Sequence, residues 1–367
     1  MKFEIQREAL LKPLQQIVGV VERRQTLPVL GNILVNAGAD DITFTATDLE
    51  VELQAKTAVA VKEPGEITLP ARKILDICRT LPEQAMVEVT VDQERATVRS
   101  GRSRFTLATL PASEFPVVED VRSTLNFSLP QQDLREVIER THFAMAQQDV
   151  RYYLNGLLFE PLEGKLRAVA TDGHRLAMCD MAAAVPAETG QPVIVPRKGV
   201  QELMRILDDS KEPAEVAIGS NHIRVNVPDI RFTSKLIDGR FPDYDRVVPE
   251  GGDKELVAER ELLRQALART SILSNEKYRG VRLNMEDGVL RIQAHNPEQE
   301  EAEEELEVDY QGEALEIGFN VTYLLEALGA ISGQQVQVTF RDANSSCLIQ
   351  EPAGSYPCKY VIMPMRL

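Results

Sequence analysis

The chain has no run of about 18 consecutive apolar residues, the length a membrane-crossing helix needs, so the sequence predicts no helical span and no membrane partner. Cysteine is scarce. Cys78, Cys179, Cys347 and Cys358 show no C-x-x-C spacing, and the simplest reading is a reduced, cytoplasmic protein without structural disulfides. Histidine is equally sparse: His142, His174, His222 and His295 lie far apart, with none of the paired spacing of metal ligands, so no metal is expected. There is no G-x-S-x-G elbow and no glycine-rich phosphate loop. Tryptophan is missing altogether and excludes nothing. Basic residues are outnumbered 41 to 57, a net charge of −16, which taken alone argues against nucleic acid, because phosphate affinity rests on Lys and Arg. The N-terminus, Met1 to Ile5, alternates and carries an acid, unlike a signal peptide.

What is present is repetition. The 367 residues suffice for two or three domains, and 43% of them are apolar, enough for a core in each. Ala170-Thr171-Asp172 follows the strand-like run Leu166 to Val169. The same context recurs 124 residues earlier at Ala46-Thr47-Asp48 and 124 residues later at Ala294-His295-Asn296. Asp172-Gly173 is a hairpin signal, since Gly takes positive φ without a Cβ clash. A shared scaffold with varied polar tips is better explained by architecture than by three copies of an active site.

Around each tip the order of elements repeats. Amphipathic helices are expected at 7–18, 71–79, 132–144, 197–207, 259–273 and 321–331, with Asn320 an N-cap and Leu262, Leu263, Ala266 and Leu267 turned inward. Strand-Pro-helix junctions stand at Leu69-Pro70-Ala71 and Val195-Pro196-Arg197. Linkers rich in Pro, Gly or acid fall at 116–126 and 249–253. The expectation is an α+β chain of three repeated domains, 1–120, 127–246 and 254–367, each with two helices packed on antiparallel sheets.

The tip Asp172, His174 and Arg175 admits an enzyme reading, a hydrolase with His174 as a base oriented by Asp172. It lacks a nucleophile signature, and a structural turn is the default. The chain end is unusual in being apolar: Val361, Ile362, Met363, Met365 and Leu367. Tyr360 to Ile362 read as a buried last strand. Pro364 removes a donor, and methionines beyond it could adapt to varied partners. The acidic run from Glu298 to Glu305 has an opposite counterpart in Arg95, Arg99, Arg102 and Arg104 near Lys73. Such a pair of patches suggests head-to-tail association, which closes a ring or grows a filament.

Thr171-Asp172-Gly173-His174-Arg175-Leu176, Val195-Pro196-Arg197-Lys198-Gly199, Arg240-Phe241-Pro242-Asp243-Tyr244, Asn275-Glu276-Lys277, Gly280-Val281-Arg282, Asn296 to Glu300 and the ending Met363 to Leu367 resemble, in order and over the whole chain, the bacterial DNA polymerase III β subunit family, the replicative sliding clamps. The resemblance implies a clamp-domain fold and a head-to-tail dimeric ring that encircles duplex DNA without reading sequence and tethers the replicative polymerase, with no reaction catalysed and no cofactor. It implies further partners: the clamp loader, and repair polymerases and mismatch-repair proteins that dock through short peptides. It places a peptide pocket at Leu154, Thr171, Gly173, His174, Arg175, Leu176, Pro242, Arg246, Val247, Asn320, Tyr323, Ser346, Val361, Met363, Pro364, Met365, Arg366 and Leu367. DNA contacts would come from Arg24, Arg72, Gln148, Tyr152, Tyr153 and Lys198, one of the two tyrosines being open to a core role instead. The dimer interface would use Lys73, Arg95, Arg102 and Arg104 against Glu298, Glu300, Glu301 and Glu304, with Ile272 and Leu273 as apolar anchors.

Overall fold

The computed structural model describes residues 1–22, 27–116, 118, 122–187, 190–352 and 357–366. Arg24 and Leu367 lie outside these. Six α-helices are described: α1 Arg7–Ile17, α2 Ala71–Thr80, α3 Gln131–Glu139, α4 Arg197–Ile206, α5 Arg260–Thr270 and α6 Val321–Ala330. Two of the expected helices are shorter because their last turns tighten into 3-10 geometry, at His142–Ala144 after α3 and at Ser271–Leu273 after α5. Asn320 caps α6, its side chain accepting from the Thr322 N–H. Leu262 does not turn inward: it is 50% exposed, while Leu263, Ala266 and Leu267 make the buried stripe of α5. At about 100° per residue, Leu262 falls roughly a quarter-turn from the centre of that stripe.

The chain forms two compact units, residues 1–132 with 198–236, and residues 133–197 with 237–367. The first contains a five-stranded sheet that ends on the strand Ser103–Ala108, and an eight-stranded sheet. In the eight-stranded sheet, strand Val51–Ala58 pairs antiparallel with Ile230–Lys235, Val51 opposite Ser234 and Ala55 opposite Ile230. The second unit contains a nine-stranded sheet and a four-stranded one. Here strand Arg175–Ala182 pairs antiparallel with Cys358–Ile362, Arg175 opposite Ile362 and Cys179 opposite Cys358. Strands Val51–Ala58 and Arg175–Ala182 are 124 residues apart in sequence, so one junction has been built twice. Each joins the fourth strand of one repeat to the last strand of the next, and each sheet runs through it without a break.

The third copy of that strand, Glu301–Glu307, edges the four-stranded sheet. It pairs with Val289–His295 on one side and with no strand among the described residues on the other. The first copy of the last strand, Ser103–Ala108, is likewise an edge.

The absence of disulfides expected from spacing is corrected: Cys179 and Cys358 are bonded across the second junction. They are 179 residues apart in sequence and meet only through strand register. Cys78 and Cys347 are free and buried. No helix of the described residues is long and apolar enough to cross a membrane.

Candidate functional site

The turn at residues 171–175 is held by four bonds. The Thr171 hydroxyl donates to the Arg175 carbonyl at 2.6 Å and accepts the Gly173 N–H at 3.1 Å. The Asp172 Oδ1 accepts the N–H groups of His174 and Arg175 at 2.9 and 3.1 Å. The first repeat builds the same turn. Thr47 donates to the Val51 carbonyl at 2.9 Å and accepts from Leu49 at 3.0 Å, while Asp48 accepts from Glu50 and Val51 at 2.9 and 2.7 Å. Gly173 and Leu49 are the matching left-handed residues, with φ of 87° and 78°. Asp172 therefore spends one oxygen on backbone, and its other oxygen pairs with the Arg175 Nε at 3.2 Å. A residue so committed serves a scaffold.

On this scaffold sits a cavity of about 150 Å³ lined by Arg151, Leu154, Thr171, Gly173, His174, Arg175, Leu176, Pro242, Tyr244, Val247, Val361 and Met363. Beneath it pack Leu158, Val169, Met178 and Ile194. Ten of the expected pocket residues thus meet in one place. Arg151 and Tyr244 were not expected there. Tyr244 belongs to the Arg240–Tyr244 motif, and Arg151 carried a weaker signal, the neighbouring Asp149 it now pairs with at 2.9 Å. The Met363 N–H donates to the His174 carbonyl at 2.9 Å, so the turn and the chain end form one wall.

The charged groups around the cavity are paired. Arg175 is largely buried; it pairs with Asp172 and Glu326, donates to the Phe143 carbonyl at 2.7 Å, and lies over the rings of Tyr323 and Phe143. Burial, with the nearby Asp172 charge, raises the pKa of the Tyr323 phenol. The Tyr244 hydroxyl donates to Glu160, and burial together with that carboxylate pushes the phenol up to about 12. Arg167 stands over the Tyr244 ring and donates through Nε and Nη2 to Asp180 at 2.6 and 3.0 Å, a bidentate pair. Burial would raise the Asp180 pKa, but hydrogen bonds from Arg167 and Lys165 outweigh it and hold the carboxyl below its usual range.

The other expected pocket residues lie apart from this lining. Arg246 is exposed and pairs with Asp243 at 2.8 Å. Asn320 caps α6, and Tyr323 one turn on stacks with Arg175. Ser346 is half-buried just before the strand Cys347–Gln350, and Pro364 is half-buried in the chain end. Met365 and Arg366 line a separate cavity.

Among the expected DNA contacts, Gln148 and Tyr152 are exposed, Tyr152 by 58%. Tyr153 stacks edge-on to Tyr152 and packs against the pocket's core. Arg72 is exposed, with one nitrogen donating to the Val21 carbonyl at 3.0 Å. Lys198 is half-buried among Asp48, Glu22 and the Val20 carbonyl. Several helix arginines tie helix ends. Arg7 donates to the Cys78 and Arg79 carbonyls of α2, Arg205 to the Gln15 and Gln16 carbonyls of α1, and Arg260 to the Leu328 carbonyl of α6. These are the carbonyls a helix C-terminus leaves unpaired.

At the edges, Lys73, Arg95, Arg102, Arg104, Glu298, Glu300 and Glu301 are exposed. Glu304 lies on the other face of its strand, bound to Arg269 at 2.6 Å. Ile272 is 75% exposed, and Leu273 is half-buried.

Residues 1–119, 128–243 and 245–366 match, in turn, the N-terminal, central and C-terminal domains of the DNA polymerase III beta subunit. The proteins named beta sliding clamp from Pseudomonas putida and Escherichia coli K12 are 57% and 55% identical to it, with 100% of both chains covered. The chain belongs to the β sliding clamp family. Among solved structures, the DnaN sliding clamp of Pseudomonas aeruginosa bound to griselimycin matches with a TM-score of 0.96 at 56% identity, 100% of both chains covered. The pol III beta of Caulobacter crescentus matches at 0.94 and 41%, with the same coverage. Membership assigns the chain to DNA replication, as a sliding clamp of three clamp domains.

Proposed function

We propose that two copies of this chain close head to tail into a ring around duplex DNA. The ring slides without reading sequence and carries the replicative polymerase by a peptide seated in the cavity at His174. The observation that carries the reading is the repeated junction. Strand Val51–Ala58 and its copy Arg175–Ala182 each find the last strand of the next repeat, whereas the third copy, Glu301–Glu307, and the first last-strand, Ser103–Ala108, are edges. An unpaired edge is a template for another chain. Here one edge carries Arg102 and Arg104 and the other Glu301, Glu303 and Glu305, so each accepts the other and repels its own kind. The repeats then divide at 1–120, 127–246 and 254–367.

In the ring the helices turn toward DNA, and exposed Lys12, Arg72, Lys73, Arg79 and Arg205 attract phosphate, together with Arg24, Gln148, Tyr152, Tyr153 and Lys198. The acidic remainder discourages binding elsewhere. Enclosure, not affinity, retains the protein. The chain catalyses no reaction, works in the cytoplasm, is opened by an ATP-driven clamp loader, and offers the same cavity to repair polymerases and mismatch-repair proteins. The test is retention after loading. The clamp should stay on circular DNA and run off linear DNA with free ends. Equal, salt-labile retention on both forms would mean ordinary phosphate binding.

A further inference from the structure

The bond between Cys179 and Cys358 is not one the scaffold requires. At an offset of 124 residues the first junction carries Ala55 in the place of Cys179, and Ala55 stands opposite Ile230 as Cys179 stands opposite Cys358. The first junction therefore keeps the same register with no sulfur. In the cytoplasm proposed above, where glutathione and dithiol proteins keep thiols reduced, a protein disulfide is as a rule transient or redox-sensing. We propose that the Cys179–Cys358 pair is a redox latch on the cavity at His174, which binds its peptide more tightly when the bond is closed.

Both bonded strands run from the sulfurs to the cavity. Cys179 lies four residues from Arg175 and Cys358 five from Met363, and both of those residues line the cavity. The separation is about 13–17 Å of extended chain. The bond sits on the last rung of a ladder of five residue pairs, Arg175 opposite Ile362 through Cys179 opposite Cys358. Past that rung the strands part: the next backbone bond, from the Asp180 N–H to the Pro357 carbonyl, is long at 3.4 Å. On the other flank, strand Cys347–Gln350 pairs with Cys358–Ile362 only from Lys359 onward. Cys358 thus opens its strand against a single neighbour. With the bond open, that end of the strand frays, and the fray runs toward the place where the Met363 N–H meets the His174 carbonyl. With the bond closed, the wall is fixed in advance, and less binding energy goes into ordering it.

The exchange balances with a cellular dithiol. Its thiolate attacks the sulfur of Cys358, which is 7% exposed where Cys179 is fully buried. The Cys179 sulfur leaves as a thiolate and takes a proton. The dithiol's second thiolate then attacks the mixed disulfide, which frees Cys358 and leaves the dithiol oxidised. An oxidised dithiol runs the same steps in reverse and closes the bond. Cys78 and Cys347 stay out of the exchange, because both are buried and burial pushes their thiols up to about 12.

This inference rests on the cavity being the peptide site, and the experiment separates the two. The probe is a hexapeptide selected from a random library for binding to the full-length wild-type protein. It is titrated by calorimetry into native protein treated with oxidised or with reduced dithiothreitol, and thiols are counted on quenched samples of each. The count should be two in the oxidised form and four in the reduced. The oxidised form should bind the hexapeptide about threefold tighter or more, and its Met363 amide should exchange hydrogen about tenfold more slowly. Cys179→Ala with Cys358→Ile, the pair that the first junction carries, should match the reduced form in either buffer. Native protein that keeps two thiols in reduced dithiothreitol has a bond closed to exchange, which overturns the latch. Equal affinity in the two forms, or a redox response that survives the double variant, overturns it too, and in all three cases the cavity stands as the peptide site. Hexapeptide binding indifferent to Val247→Asp in both forms overturns the cavity as peptide site, and the latch on it as well.

Discussion

The guanidinium of Arg175 lies 4.5 Å from the centre of the Tyr323 ring. Arg175 opens the strand after the His174 turn, and Tyr323 stands in the first turn of α6. One side chain thus fastens a strand of the second repeat to a helix of the third, beside the cavity. Its planar fork reaches Asp172, Glu326 and the Phe143 carbonyl at once, which a lysine cannot do. Arg175→Lys should therefore weaken peptide binding and cost about 1–3 kcal/mol of stability. Calorimetry and thermal melts on the same sample check this, and an unchanged melt with unchanged peptide affinity would show the fork to be idle.

In the proposed ring, closure would rest on a small apolar anchor, Ile272 with Leu273. Ile272→Ala with Leu273→Ala should shift dimer to monomer with each unit still folded, because losing central anchors costs about 2–4 kcal/mol of association. Ile272 is already exposed in the single chain, so its removal leaves the cores intact. Sedimentation of the variant reads the outcome; a persistent dimer would place the interface elsewhere.

The Asp180 pair gives a pH dependence with a definite sign. Its folded pKa is depressed, so its contribution is present above the unfolded carboxylate range and is lost as pH falls through the lower folded value. Wild type should lose stability toward acid more steeply than Asp180→Asn below the usual aspartate pKa. Denaturant melts at successive acidic pH values test it. Parallel curves for the two proteins would mean that Arg167 and Lys165 contribute nothing through this carboxylate.

Thiol counting tests the bond across the second junction. Burial pushes the Cys78 and Cys347 thiols up to about 12, so they react only once the chain is unfolded. Protein purified in air and denatured without reductant should show only those two thiols, and four after reduction. Cys358→Ser should then be less stable than the oxidised wild type by about 2–4 kcal/mol. Four thiols before reduction would show the pair to be open.

The helices and most strands were legible because burial leaves a period in the sequence: α2 and α4 announce themselves by Ile74, Leu75 and Cys78, and by Val200, Leu203 and Ile206. The tip was legible because three copies of it could be compared. The Cys179–Cys358 bond, the stacking of Arg175 on Tyr323 and the place of Tyr244 behind the cavity were not. Each joins residues far apart in the chain, the cysteines through strand register and the others through packing of a helix or a turn, and such contacts leave no local trace. The arginines tying helix ends leave no signal for the same reason: a charge at helical spacing looks alike whether it meets water or a distant carbonyl.

The two matching turns have gone separate ways with their free carboxylate oxygen. Asp48 gives its own to Lys198, in the helix of the neighbouring repeat, and Asp172 gives its own to Arg175 at the mouth of the cavity. One inherited turn is a clasp in the first repeat and a jamb in the second. Damage to them should therefore sort into different phenotypes: loss of Asp48 loosens how the first two repeats hold together and spares recognition, while loss of Asp172 spares assembly and leaves a clamp that partners fail to find. At the shared left-handed position the second turn carries Gly173, where a Cβ would push aside the Arg151 guanidinium 2.9 Å away at the cavity, and the first turn carries Leu49.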